Sequence, residues 1–365
     1  MSIALASEAA DLRAAAAAPA ATTPTRSEAT ITRVTRADDL LTARLAAASV
    51  KRVQVTDPPR LHAGDELLAL LARQSDRPVP ISLLEYTGSA LAADDLQTGR
   101  FTRLPPAPFA PSAIIARAGY DVLTDGRGVA ILPDTPGATI VPVPGAATAT
   151  AATRPDRFWV TDTTGDITEV DGSGRAAGAP IRLPSGWNLA GAVPAGLVLT
   201  GTDSGGVEIV DPSATKLLRA ISTDPRAAVL DVAGSTVAWT VAQPGGFAGP
   251  LYLTDAATGR TVKGQLPLLA TYGPGQLSPD GHRFAGYFTE GSAKTLGQLC
   301  LVDVATGSYR SEQLVGTPSA VTWSPGGRWL VAVTAEGGGD ALDTATGSST
   351  ALRFSVQSGP FAVLP

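Results

Sequence analysis

The sequence predicts an all-β protein built from seven four-stranded antiparallel units. Three observations carry this. An aspartate-led mark recurs seven times along the chain, the text between marks alternates short β-branched and apolar runs with turn residues, and the C-terminus repeats the opening strand of a unit with no unit behind it. Composition points the same way. With 39 glycines, 29 prolines and only 17% charged residues in 365, the protein is rich in turn formers and poor in the residues of amphipathic surface helices.

The marks come first. Asp255-Ala256-Ala257-Thr258-Gly259, Asp303-Val304-Ala305-Thr306-Gly307 and Asp343-Thr344-Ala345-Thr346-Gly347 are near copies, and Asp95-Leu96-Gln97-Thr98-Gly99 is a fourth. Weaker versions begin at Asp134, Asp171 and Asp211, so the spacings are 39, 37, 40, 44, 48 and 40 residues. An aspartate after an apolar strand accepts backbone N–H groups across a tight turn, and glycine supplies positive φ at its exit. Each mark is therefore expected to join the last two strands of a unit.

A second phrase precedes the last two marks. Leu277-Ser278-Pro279-Asp280-Gly281 leads into Arg283-Phe284-Ala285, and Trp323-Ser324-Pro325-Gly326-Gly327 leads into Arg328-Trp329-Leu330. This reads as an inner strand, a hairpin and a second strand. A period near forty with four strands per repeat is the signature of a β-propeller. The Ser-Pro-Asp-Gly-x-x-Phe-Ala and Val-Asp-x-Ala-Thr-Gly phrases resemble the WD-repeat-like propellers of the TolB type. The resemblance is good over about 270–350, weaker over 90–270 and absent before about 65, and the Trp-Asp pair of true WD repeats is missing. It implies seven blades around a central channel and, for most such propellers, a role as a binding platform.

A ring must hide its first and last edges, because an open strand edge recruits other strands. Gly359-Pro360-Phe361-Ala362-Val363-Leu364-Pro365 resembles the inner strand Pro318–Trp323 of the last blade but ends there. Phe361 and Val363 are thus expected to close the ring by completing the first blade beside Leu67–Leu70, Ile81–Tyr86 and Ala90–Asp95. The propeller is placed at 65–365. Residues 1–30, rich in alanine, threonine and proline, read as a disordered leader, and 31–64 as an extension whose short helix Thr35 caps and Leu40, Leu41 and Leu45 face.

The search for chemistry yields no catalytic, cofactor-binding or metal residue. The two histidines, His62 and His282, read as loop residues, so a histidine metal cage is excluded. No nucleophile elbow, phosphate loop or dinucleotide fingerprint occurs. The acidic run Asp162, Asp166, Glu169, Asp171 does not keep the register of an EF-hand and reads as two hairpin turns joined by a strand. Asp94 beside Asp95 reads as a structural pair, and the single cysteine, Cys300, as a buried small hydrophobe. Of the tryptophans (159, 187, 239, 323, 329), Trp187 is expected to be partly exposed and the rest to pack between blades.

A net charge of −5 with no basic cluster argues against nucleic acid, and no apolar stretch reaches the ~20 residues of a spanning helix. The expected function is a non-catalytic module, monomeric, presenting loops and a channel mouth to a protein or peptide. The alternatives are a lactonase- or lyase-like enzyme with a channel metal, and an exported or surface-associated propeller. The small apolar inner strands Ser319-Ala320-Val321, Ala227-Ala228-Val229 and Ala113-Ile114-Ile115 favour the first. Without a basic, strongly apolar start the sequence as written reads as cytoplasmic, and an incomplete start would make it secreted or surface-associated.

Overall fold

Seven antiparallel sheets succeed one another along the sequence, each with its strands in order from the centre outwards, except that the first borrows its inner strand from the C-terminus. The architecture comes from a computed structural model, which describes residues 79–86, 90–135, 137–201, 206–242, 249–265, 271–272, 275–289, 296–315, 318–334, 339–352 and 359–364. The leader, the helix expected after Thr35, His62 and Leu67–Leu70 lie outside the described residues.

Blade 1 comprises Phe361–Leu364, Ser82–Tyr86, Leu91–Asp95 and Arg100–Arg103. Its fourth strand is therefore Arg100–Arg103, one strand beyond the Ala90–Asp95 segment expected to end the blade, a correction that follows from the mark itself. The Asp95–Gly99 turn joins a third strand to a fourth, so the strand after Gly99 completes the sheet. The C-terminal strand lies antiparallel to Ser82–Tyr86, with Val363 opposite Leu83 and Phe361 opposite Glu85.

The other inner strands are Ala113–Arg117, Ala146–Ala151, Trp187–Val193, Ala227–Ala233 and Pro318–Trp323 for blades 2, 3, 4, 5 and 7. Blade 6 has its inner strand in two pieces, Thr271–Tyr272 and Gln276–Leu277, both paired to Arg283–Thr289. The inner strands of blades 3, 4, 5 and 7 each carry a register shift against the second strand. Such bulges add local twist.

The core is layered. Among the described residues the buried hydrophobic side chains form seven clusters, and each spans one blade interface. Between blades 2 and 3, for instance, Val122 and Ile131 meet Phe158 and Val160. Between blades 7 and 1, Val331 and Val333 meet Leu83, Phe361 and Val363. A second strand faces both neighbours, so Tyr120–Thr124 is buried at every position and reads as a continuous apolar run rather than an alternating one.

Candidate functional site

The repeated turns sit where each third strand hands over to the fourth, on the face of the ring where the inner strands end. At Asp255 the carboxylate accepts the Thr258 N–H at 2.6 Å and the Thr258 hydroxyl at 2.7 Å, and Gly259 takes φ +78°. Asp303 repeats this with Thr306 at 2.9 and 2.8 Å, and Asp95 with Thr98 at 3.1 and 2.5 Å. At Asp343 the carboxylate instead takes the Ala345 N–H and a two-pronged contact from Arg328, while Gly347 donates to the Asp343 carbonyl. Gly99, Gly307 and Gly347 also have positive φ. Asp171 and Asp211 hold looser turns through Ser173 and Thr215, and hydrogen bonds from the Ser213 hydroxyl and from the Lys216 and Thr215 N–H groups pull Asp211 down to about 2. Asp134 differs: its carboxyl is raised by burial and acts on that of Asp121.

The opposite mouth of the bore is where every inner strand begins. Among the described residues the exposed inner-strand side chains there are Ala113, Thr148, Asn188 and Ala228. They are small, with one amide and one hydroxyl. Trp187, next to Asn188, is half-buried, whereas Trp159, Trp239 and Trp323 are buried. Trp239 stacks on Tyr252 at 4.5 Å and donates its Nε1–H to Thr254.

Neighbouring inner strands are clasped by side chains that reach across the interface. The Asp231 carboxylate of blade 5 accepts the Leu277 N–H of blade 6 at 2.6 Å and the Val232 N–H at 2.8 Å. Trp323 of blade 7 donates its indole N–H to the Gln276 carbonyl at 3.1 Å. Arg117 of blade 2 donates to the carbonyls of Ala152 (2.8 Å) and Arg154 in blade 3. The two-residue piece Gln276–Leu277 is thus held from both sides, and each clasp satisfies a backbone group that a short strand leaves open.

Three acids are unusual, and none was singled out as a site from the sequence. Asp231 is half-buried but set deep in the ring, and desolvation raises it to about 6 against the lowering by its two N–H donors. Asp121, buried between blades 1 and 2, is raised to about 7 by desolvation and by Asp134. Asp94 is buried on the blade 7 side of blade 1, raised by desolvation and lowered by a hydrogen bond from Glu85. Its sequence neighbour Asp95 points the other way, into the turn. The available signal was an aspartate inside an apolar strand, as in Tyr120-Asp121-Val122-Leu123, where alternation cannot place the carboxyl in water.

The remaining residues fall as follows. His282 is exposed in its hairpin, 3.5 Å from Asp280. Cys300 is buried and its thiol is pushed up to about 12 by desolvation, which makes it a poor nucleophile. In the acidic run, Asp162 caps a turn through Thr164 and Asp166, and Asp166 is gripped by Arg182 at 2.7 and 2.9 Å. Among the described residues no group of three His, Cys, Asp or Glu side chains gathers in a form that would hold a metal, and no helix is long and apolar enough to cross a membrane.

No family model and no curated protein sequence matches this protein. Solved structures do. PorZ, an essential bacterial surface component of the type-IX secretion system of Porphyromonas gingivalis, is similar at 12% identity and TM-score 0.52, over 76% of this chain and 38% of PorZ. The likeness is one of fold. A protein assigned as a 6-phosphogluconolactonase from Bacteroides fragilis is similar at 17% identity and TM-score 0.50, over 78% of this chain and 98% of that one. TolB from Acinetobacter baumannii is similar at 18% identity and TM-score 0.44, over 79% and 83%. The protein is a seven-bladed β-propeller, and at these identities its chemistry has to be argued from its own residues.

Proposed function

We propose that this propeller is a non-catalytic binding module whose bore mouth receives an extended segment of a protein partner. The observation that carries the reading is the set Ala113, Thr148, Asn188 and Ala228 at the exposed inner-strand positions of four consecutive blades. Small side chains leave room for a backbone to approach. Asn188 offers an amide donor and acceptor, and Thr148 a hydroxyl, the groups that pair with a peptide's own C=O and N–H. None of the four exchanges a proton near neutral pH. The two strongly raised carboxyls lie elsewhere, Asp121 inside an interface and Asp231 committed to two backbone donors.

Asp231 is also what favours a second reading, a lactonase- or lyase-like enzyme. A carboxylate on an inner strand with a pKa raised to about 6 has the basicity of a general base. Against it, both oxygens already accept short hydrogen bonds, so proton abstraction requires breaking a clasp between blades.

The test places a photo-crosslinking residue at position 188 or 228 of the full-length protein, in its native host. Discrete protein adducts at both positions are expected, and Ala113→Arg, which fills the mouth, should abolish them. In parallel the purified protein is offered aldonolactones and polyuronates, with no turnover expected. Saturable turnover that Asp231→Asn removes would establish the enzyme reading and sink the binding one.

A further inference from the structure

The seam between blades 7 and 1, where the two ends of the ring meet, holds two buried carboxyl groups. Glu85 is 4% exposed and Asp94 3%. Register puts both on the face turned towards blade 7. Asp94 lies opposite Leu83, and Glu85 stands two residues further along the same strand, opposite Phe361. Leu83 and Phe361 belong to the apolar cluster that contains Val331 and Val333 of blade 7. The two acids are hydrogen-bonded to one another, and the buried Asp94 Oδ1 atom has no hydrogen-bond partner.

Other blades fill these two places without acids. The matching pair, read from the register, is Leu199 and Val210 in blade 4, Gly286 and Val302 in blade 6, and Ala332 and Leu342 in blade 7. The carboxyls are therefore a departure from the repeat, and they fall at the seam that the C-terminal strand closes.

An ionised carboxylate only accepts hydrogen bonds, so a bond between two carboxyl groups requires a proton on one of them. Among the described residues no cation takes that proton's place. The strands Phe361–Leu364, Pro318–Trp323, Trp329–Thr334 and Ser348–Ala351 contain no ionisable side chain. In the third strand of blade 7, Asp343 faces this seam but is gripped by Arg328, and Asp340 lies on the other face. In blade 1, Arg103 shares the face but is exposed, and Asp95 points away into its turn. Burial raises Asp94 and the bond from Glu85 lowers it, with no arginine contributing.

We propose that Glu85 and Asp94 share one proton and act as a pH-sensitive lock on the closing seam. While the seam is shut, Glu85 donates that proton to the Asp94 carboxylate. When the seam opens, both groups ionise in water and the proton passes to solvent. The shut state thus holds a proton that the open state gives up above the ordinary carboxyl range. Its stabilisation is full in acid and is lost as pH rises through the pair's folded pKa. The strand set free is Phe361–Leu364, because Phe361 pairs with Glu85 and Val363 with Leu83. The lock does not depend on what the bore binds.

The test is amide hydrogen exchange on the full-length protein carrying Asp121→Asn, which silences a titrating acid of the neighbouring seam. Between about pH 5 and 7, the protection of residues 361–364, corrected for intrinsic rate, should fall about tenfold per pH unit, the slope of one proton released per opening. Glu85→Gln supplies a fixed N–H donor to Asp94, and Asp94→Asn one to Glu85, so each should remove the slope. Carbon-13 NMR of the two side-chain carboxyls in the unsubstituted protein reads the proton directly and needs no variant. At about pH 6, where ordinary carboxyls are ionised, the pair should show one protonated group. Two ionised carboxyl signals at that pH, protection that does not change with pH, or a slope that persists in both amide variants each overturns the proposal.

Discussion

Removing residues 361–365 tests the ring as a mechanical object. The strand they form carries Phe361, Ala362 and Val363, all buried, and pairs with Ser82–Tyr86 over four residues. Its two faces serve different neighbours. Phe361 and Val363 join Leu83, Val331 and Val333 between blades 7 and 1, whereas Leu364 packs with Leu84 and Leu123 between blades 1 and 2. Truncating a buried Phe to Ala alone costs about 3–5 kcal/mol, and the deletion adds Val363 and the ladder hydrogen bonds. The loss is then of the same order as the ~5–15 kcal/mol that stabilises a whole domain. Val363→Ala is the graded version. At about 2 kcal/mol it should lower the melting temperature by about 4–8 °C, given about 2–4 °C per kcal/mol for domains of comparable size. Scanning calorimetry and guanidinium titration read both. The expected results are a lower midpoint with an unchanged slope for Val363→Ala, and loss of the cooperative transition for the deletion, partly restored by a synthetic 359–365 peptide. A truncated protein that melts within about 2 °C of the parent, below what one lost kcal/mol produces, would show that closure contributes nothing and refute the reasoning.

Two further perturbations probe the acids. Asp231→Ala should destabilise by about 2–4 kcal/mol, because the Leu277 and Val232 N–H groups lose their acceptor and each stranded donor costs about 1–3 kcal/mol, less the relief of no longer burying a carboxylate; hydrogen exchange should show Leu277 losing protection first, and unchanged protection there would contradict the clasp. Asp121 works through linkage: its folded pKa is raised from 3.8 to about 7, so its stabilising contribution is present at low pH and is lost as pH rises through about 7. That difference corresponds to at most about 4 kcal/mol at alkaline pH. Asp121→Asn should therefore flatten the fall in melting temperature between about pH 4 and 7, raising it at pH 8 and leaving it nearly unchanged near pH 4. A variant whose pH profile overlays the parent's would show that Asp121 does not titrate in this range.

What the sequence determined by itself was the set of features held by local chemistry and by repetition. An Asp-x-x-Thr-Gly turn needs only its own five residues, a carboxylate for the threonine N–H and a residue free to take positive φ, so the turns at Asp95, Asp255 and Asp303 can be read without a neighbour. Seven aspartate-led marks at a period near forty, four of them in this form, then count the blades, because each blade is the same four-stranded unit. The C-terminal copy of an inner strand likewise shows in the text that the ring must borrow a strand, though only the pairing of Val363 with Leu83 shows which one. Everything that depends on which faces meet was decided by the tertiary structure. Asp94 and Asp95 are adjacent, yet the pleat sends one into the blade 7 interface and the other into the turn. Asp231 reaches Leu277 across 46 positions of sequence, and Arg283 reaches Thr344 across 61. No local pattern encodes such partners. The same holds for the bore, a space between blades made by side groups whose order in the sequence bears no mark of their convergence.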